Sequence, residues 1–298
     1  VVVRILAVIM ALQLAAAGVF WYLFAQRYPA DVALLLALLA VLLVRMAITA
    51  NNFRIAWRMR SVAPEVHRLG LSGALRLFAR EYAATMLSSS WRMLRHRERL
   101  HLASRPRGVP VLLIHGYGCN GGYWTQLAAR LEREQISHAT VSLEPLTASI
   151  DAYSAQIERA VQALCSATGA DKVAIVAHSM GGLVARAWLR RHGTARIARV
   201  IAVGTPHYGT GLASLGVGIN AKQMRLRDEW LAQLDADDRS HRSLFTSIYS
   251  YHDNIIAPQS SCHLQGAHNI AFGGIGHVAL GSHPIILKCI VAEILSIP

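Results

Sequence analysis

The apolar positions of this chain fall into three textures. Ile5 to Phe24 run apolar with Gln13 as the one interruption. Val32 to Val44 form a second run that continues past Arg45 through Met46, Ala47 and Ile48. A helix needs about 20 apolar residues to cross a bilayer. The first run has that length, and the second reaches it if Arg45 snorkels towards the headgroups. Gln26 to Asp31 make a tight polar turn, with Trp21, Tyr22 and Tyr28 where an interfacial aromatic belt belongs. The pattern predicts a transmembrane hairpin over residues 1–50. A cleavable signal would end its apolar run in small residues, whereas Trp21, Tyr22, Leu23 and Phe24 stand there and a second run follows.

Between Asn51 and Leu102 the texture is helical, with Trp57, Leu69, Leu75, Leu77, Phe78, Tyr82 and Met86 set among arginines. Basic amphipathic helices of this kind suit a membrane surface or the flank of a following domain. We read residues 51–107 as a basic juxtamembrane collar, closed by the linker Ser104 to Gly108. From Val109 onward short apolar runs alternate with amphipathic stretches, the pattern of a parallel sheet covered by helices. Strands are expected at 109–115, 139–143, 172–177, 200–203, 245–251 and 263–268. Helices are expected at 123–134, 150–168, 180–192, 227–236 and 284–295. The fold class is α/β over residues 108–298, preceded by two membrane helices.

Charge sharpens this division. The chain carries a net +13, and residues 45–107 alone hold thirteen arginines against three glutamates. Basic character confined to the stretch after a membrane span fits anionic lipid rather than a folded nucleic-acid module, so no nucleic-acid partner is expected. The positive-inside rule then puts both ends of the hairpin and the α/β domain in the cytoplasm, with a periplasmic domain as the alternative. Cys119, Cys165, Cys262 and Cys289 show no C-x-x-C spacing and no paired His pattern, so no zinc site is expected, and no motif calls for a cofactor.

The chemistry is carried by Val173 to Val184, a buried strand running directly into a helix with Ser179 at the join. A turn this sharp exposes a serine hydroxyl only if the positions two before and two after it are small. Here they are Ala177 and Gly181. The turn points the amide of Met180 at a reacting carbonyl oxygen. A serine needs a base, and the base an orienting carboxylate, both later in the chain in this arrangement. His277, after Gly273-Gly274-Ile275-Gly276 and before the last helix, is favoured as base over His283 and His268. Asp253 ends a strand and precedes a loop closed by Pro258, on the rim where the serine lies. Asp235, Asp237 and Asp238 are expected to be a solvated helix face. In the loop after the first domain strand, Ile114-His115-Gly116-Tyr117-Gly118, the Tyr117 amide is the candidate second oxyanion donor.

Five stretches carry a resemblance: His115-Gly116-Tyr117, Ala177-His178-Ser179-Met180-Gly181-Gly182, Gly204-Thr205-Pro206-His207-Tyr208-Gly209-Thr210, Ser250-Tyr251-His252-Asp253 and Gly276-His277. In this order they resemble bacterial lipases of the α/β-hydrolase superfamily, and are most similar to the small lidless Bacillus lipases, whose elbow also begins with Ala. The resemblance covers residues 109–296. It implies an α/β-hydrolase fold, a Ser179, Asp253 and His277 triad, oxyanion amides at Tyr117 and Met180, and carboxylic ester hydrolysis. The membrane hairpin and collar depart from the secreted members and place this chain at a bacterial inner membrane. Lipid or other acyl esters are the expected substrates, with Leu212 to Ile219 as a candidate open acyl groove. The alternatives are an acyltransferase or thioesterase using the same triad, and a membrane scaffold with a retired hydrolase fold; the sequence does not address oligomeric state.

Overall fold

The computed structural model describes residues 1–298. Its first two helices, α1 (Val2–Ala25) and α2 (Ala30–Arg58), form an antiparallel hairpin. At 1.5 Å per residue they are about 36 and 43 Å long, more than a ~30 Å hydrocarbon core. Both are long and apolar enough to cross a membrane. Small Ala33 and Ala37 are fully buried on the hairpin's inner side, while Leu14, Val19, Leu35 and Val44 stand exposed. Such outward apolar faces are the reverse of a helix buried in a soluble core. Arg45 has partners within the protein. Its guanidinium donates to Gln13 Oε1 at 3.2 Å, Ser90 Oγ at 2.7 Å and Ser89 Oγ at 2.6 Å, so oxygens of α1 and of the collar satisfy it.

Those serines follow α3 (Leu71–Leu87), which runs into a single π-helical turn at Ser88–Arg92. Helix α3 climbs along α2, with the Phe53 and Phe78 rings 5.9 Å apart and Tyr82 donating to the Leu42 carbonyl at 3.0 Å. The basic segment is therefore packed against the hairpin.

A seven-stranded sheet follows: β1 (Leu100–His101), β2 (Val111–Ile114), β3 (His138–Val141), β4 (Val173–His178), β5 (Ile197–Val203), β6 (Phe245–Ser250) and β7 (His268–Phe272). Its order is β1-β3-β2-β4-β5-β6-β7, with only the β1 pairing antiparallel. Successive residues of β2 feed opposite cores, as a doubly covered strand requires. Leu112 and Ile114 meet α5 (Ser154–Thr168) and α6 (Met180–His192), whereas Val111 and Leu113 meet α4 (Thr125–Arg133) and α9 (Pro284–Leu295). Two short helices, α7 (Ile219–Gln223) and α8 (Glu229–Asp237), follow β5.

Three expectations need correction. The last strand lies at 268–272 rather than 263–268, because the Asn269 side chain bonds both main-chain groups of Leu264 and the Ala267 carbonyl, folding 264–267 into a turn. The sheet also extends into the segment read as collar, through β1. Finally, Asp238 is not solvated: it is buried against the fully buried Arg186 and against Arg242, which also takes Asp235. Only Asp237 keeps an exposed carboxylate, near Arg190.

Candidate active site

Ser179 joins β4 to α6 with φ 55° and ψ −125°, a conformation unfavourable for any residue with a Cβ. The turn closes because its flanks are bare. A Cβ on Gly181 would lie 2.6 Å from the His115 carbonyl oxygen, and one on Gly116 would lie 2.9 Å from the Ser179 Cβ. A Cβ on Gly182 would overlap the Thr205 hydroxyl. Ala177, fully buried in β4, fills the position before the turn with the smallest side chain that has a Cβ.

The structure brings Asp253 and His277 together. Asp253, in the loop after β6, accepts His277 Nδ1 on Oδ2 at 2.7 Å. Its Oδ1 accepts the amides of Ile255 and Ile256 at 2.8 and 2.7 Å. With the Nδ1 proton engaged, the neutral His277 ring presents the lone pair of Nε2. Burial opposes charge on His277, but the Asp253 carboxylate, its hydrogen bond and the charge of Glu81 together hold the imidazole above its ordinary value. The pair sits beside the elbow. Val203 accepts the Ser179 amide at 2.9 Å, and a Cβ on the next residue, Gly204, would lie 3.4 Å from His277 Nδ1 and 3.5 Å from Asp253 Oδ2. Of the rival histidines, His283 faces the Arg80 guanidinium at 3.4 Å, and His268 lies largely exposed near Glu293.

His115 shapes the loop that carries Tyr117. Its Nε2 accepts the Leu143 amide at 3.0 Å, which leaves Nδ1 to donate to the Gly116 carbonyl at 2.8 Å. Burial lowers its pKa to about 4, so it stays a neutral strut. The Tyr117 hydroxyl donates to the Val217 carbonyl at 2.7 Å and accepts the Val217 amide at 2.9 Å. No loop or side-chain acceptor takes the Tyr117 amide. Met180 is the first residue of α6, so helix geometry gives its amide no intrahelical acceptor either.

Residues that the sequence did not single out for a role surround His277. His178 Nε2 donates to its carbonyl at 3.2 Å, and Asn254 Oδ1 accepts its amide at 3.0 Å. The His178 ring is stacked on Tyr123 at 4.1 Å and lies 4.5 Å from the His277 ring. Burial, then the neighbouring His277, pushes His178 far below the usual histidine range, so it holds the loop as a neutral donor. Glu81 of α3 reaches the amides of Val278 and Ala279. It was detectable as the one acidic residue between Glu65 and Glu98.

The expected groove at 212–219 is closed at one end. Leu212 is buried with Ala56 of α2 and Ala257, and Met59 presses on Gly211. Leu215, Val217 and Ile219 remain exposed. The foot of α2 thus stands on the loops that leave the carboxyl ends of β5 and β6, the same rim as Ser179. All four cysteines are free thiols, and no cluster of side chains suits a metal ion.

Comparisons with known proteins place this geometry. A segment of the pimeloyl-[acyl-carrier protein] methyl ester esterase of Vibrio vulnificus is 38% identical over 87 residues, which is 29% of this chain and 33% of that protein. The match thus spans a third of the relative's length. The mature lipase BlEst2 of Bacillus licheniformis superposes with a TM-score of 0.59 at 16% identity, over 66% of this chain and 98% of that one. Lipase B of Aspergillus fumigatus gives 0.55 at 19% identity, over 64% and 55%, and the monoacylglycerol lipase of Paleococcus ferrophilus gives 0.52 at 13%, over 68% and 99%. Identities this low speak to fold alone. The family described as alpha/beta hydrolase fold matches residues 109–264, more than half of the chain and all of it from β2 through the Asp253 loop. With its parallel sheet and strand-to-helix serine turn, the chain belongs to the α/β-hydrolase family.

Proposed function

We propose that this chain is a membrane-anchored serine carboxylic ester hydrolase, acting through an acyl-enzyme on Ser179. The observation that carries this reading is the buried Asp253–His277 pair beside a strained serine turn. In this mechanism His277 Nε2 takes the Ser179 proton as Oγ attacks the ester carbonyl. The Met180 and Tyr117 amides hold the oxyanion, and the alcohol leaves with the proton from His277. Water, deprotonated by the same base, then releases the acid and restores the serine. Asp253 keeps His277 in the tautomer that the reaction needs and stabilises the imidazolium.

Residues 1–50 serve as the anchor, 51–107 as the basic collar and 108–298 as the hydrolase, with the hydrolase on the cytoplasmic side by the charge of the collar. Lipid-like esters are the substrate class that fits. The hairpin stands on the catalytic rim, and Leu215, Val217 and Ile219 offer an apolar border there. The ester chemistry named for the Vibrio relative supports this assignment. The test is hydrolysis of p-nitrophenyl esters from acetyl to palmitoyl by the full chain in detergent, beside Ser179→Ala. Turnover should vanish in the variant; turnover at the wild-type rate would exclude Ser179 as nucleophile.

A further inference from the structure

We propose that Glu81, in the juxtamembrane helix α3, is a positioning residue that holds the catalytic-histidine loop in register, tying hydrolysis to the membrane-bound part of the chain. The proposal rests on the triad reading above. Glu81 is 1% exposed, although it comes from a helix whose neighbours in sequence include the exposed Arg80. Its two carboxylate oxygens separately accept the amides of Val278 and Ala279, each at 2.9 Å. These are the two residues directly after His277. The approach is possible because residue 276 is glycine: a Cβ there would sit 2.5 Å from the Glu81 carboxyl carbon.

Counting the holds on His277 shows what Glu81 adds. Asn254 takes its amide, His178 its carbonyl and Asp253 its ring, and all three belong to the α/β domain. Glu81 hydrogen-bonds the loop from outside that domain, across 197 residues of sequence. A buried carboxylate carries a desolvation cost, which pushes its pKa up; the two main-chain donors and nearby His277 oppose this. A group retained under that penalty and spent wholly on two amides beside His277 fits a role in geometry.

The electrostatic surroundings give a signature that loss of packing would not. His277 faces Asp253 from the loop after β6, His178 from the end of β4 and Glu81 from α3. Tyr123, packed on His178, adds a neutral phenol held protonated by burial. Arg45 and Asn52 of α2 share with Glu81, Asn254 and Val278 a cavity of about 270 Å³. The negative charge of Glu81 favours the imidazolium, so removing it lowers the pH at which His277 protonates. A base must be neutral to act, so the acid limb of kcat/KM then moves to lower pH.

The experiment uses the full chain in detergent micelles with p-nitrophenyl butyrate, comparing wild type, Glu81→Gln, Glu81→Ala and Ser179→Ala. Glu81→Ala leaves both amides without an acceptor and should lower kcat about 10- to 100-fold at little change in KM, the scale of a displaced catalytic group. Glu81→Gln keeps one carbonyl oxygen and should recover most of kcat, with its acid limb displaced to lower pH. A Glu81→Gln profile that superposes on wild type, with kcat unchanged or with only a lower melting temperature, would overturn the proposal even if the alanine variant fails to fold. Full activity in Ser179→Ala would instead remove the hydrolase reading itself, so the two failures are distinguishable.

Discussion

Ser179, at φ 55°, is held in its strained turn by neighbours that give no room to a methyl group. Gly181→Ala should therefore push β2 and α6 apart beside the Tyr117 and Met180 amides, the proposed oxyanion donors. Overpacking of this kind costs about 1–3 kcal/mol, to be read as a lower urea midpoint, and esterase activity should fall with it. The polar contacts of Asp253 are equally telling, because Asn at that position can offer its amide to Nδ1 and leave the wrong tautomer. Asp253→Asn should lower kcat by about 10⁴-fold with the fold retained, judged by circular dichroism beside the rate. The raised His277 pKa fixes the sign of the pH dependence. With His277 as the proposed base, activity needs the neutral ring and is lost as pH falls through the folded value, so the acid limb of kcat/KM should lie above the ~6.5 of an ordinary histidine. The pairing of Asp253 with His277 beside the Ser179 turn is legible in the sequence, because each residue sits in a local pattern of strand end, glycine and loop. Glu81 shows in the sequence only as a lone acid among arginines, and its contacts do not, because they are with amides 197 and 198 positions away.

At the scale of elements, legibility follows the same rule. Helices α6 and α9 have the bounds that their periodicity predicts, since Ser179 and Pro284 mark their starts within the sequence itself. Strand β7 is displaced from its expected place because a side chain, Asn269, overrides apolar patterning by closing a turn. Strand β1 is two residues long and gives no periodic signal; only its partner β3 defines it. The acidic end of α8 departs from its expected solvated state for a related reason. Charged residues read as solvated unless their partners are known, and Arg186 lies some fifty positions earlier, on α6, a helix buried along nearly its whole length. Removing one member of a buried pair leaves an uncompensated charge. Arg186→Ala should destabilise the fold by about 3–5 kcal/mol, measured by denaturant unfolding, while Arg190→Ala, at the partly exposed end of the same helix, should cost less, about 1 kcal/mol.

At the scale of the whole molecule, the apolar hairpin and the α/β domain are joined by more than a linker. Helix α2 stands on Leu212 and Ala257, and Ser61 binds Gln259 and Ser260. Helix α3 supplies Glu81, and Met93 accepts the Asn120 side chain at 2.9 Å. A fragment of residues 104–298 would lose β1 and all of these contacts, so it should hydrolyse soluble esters more slowly than the full chain does. Equal rates would show that the collar is only a tether. The central claim is narrower: Ser179 is an activated nucleophile. The most direct test is to treat the full chain in detergent with a fluorophosphonate probe and map the adduct by mass spectrometry. The account predicts a single adduct on Ser179, absent from Ser179→Ala and strongly slowed in His277→Ala. Labelling of another residue, or none on the folded wild-type chain, would contradict it.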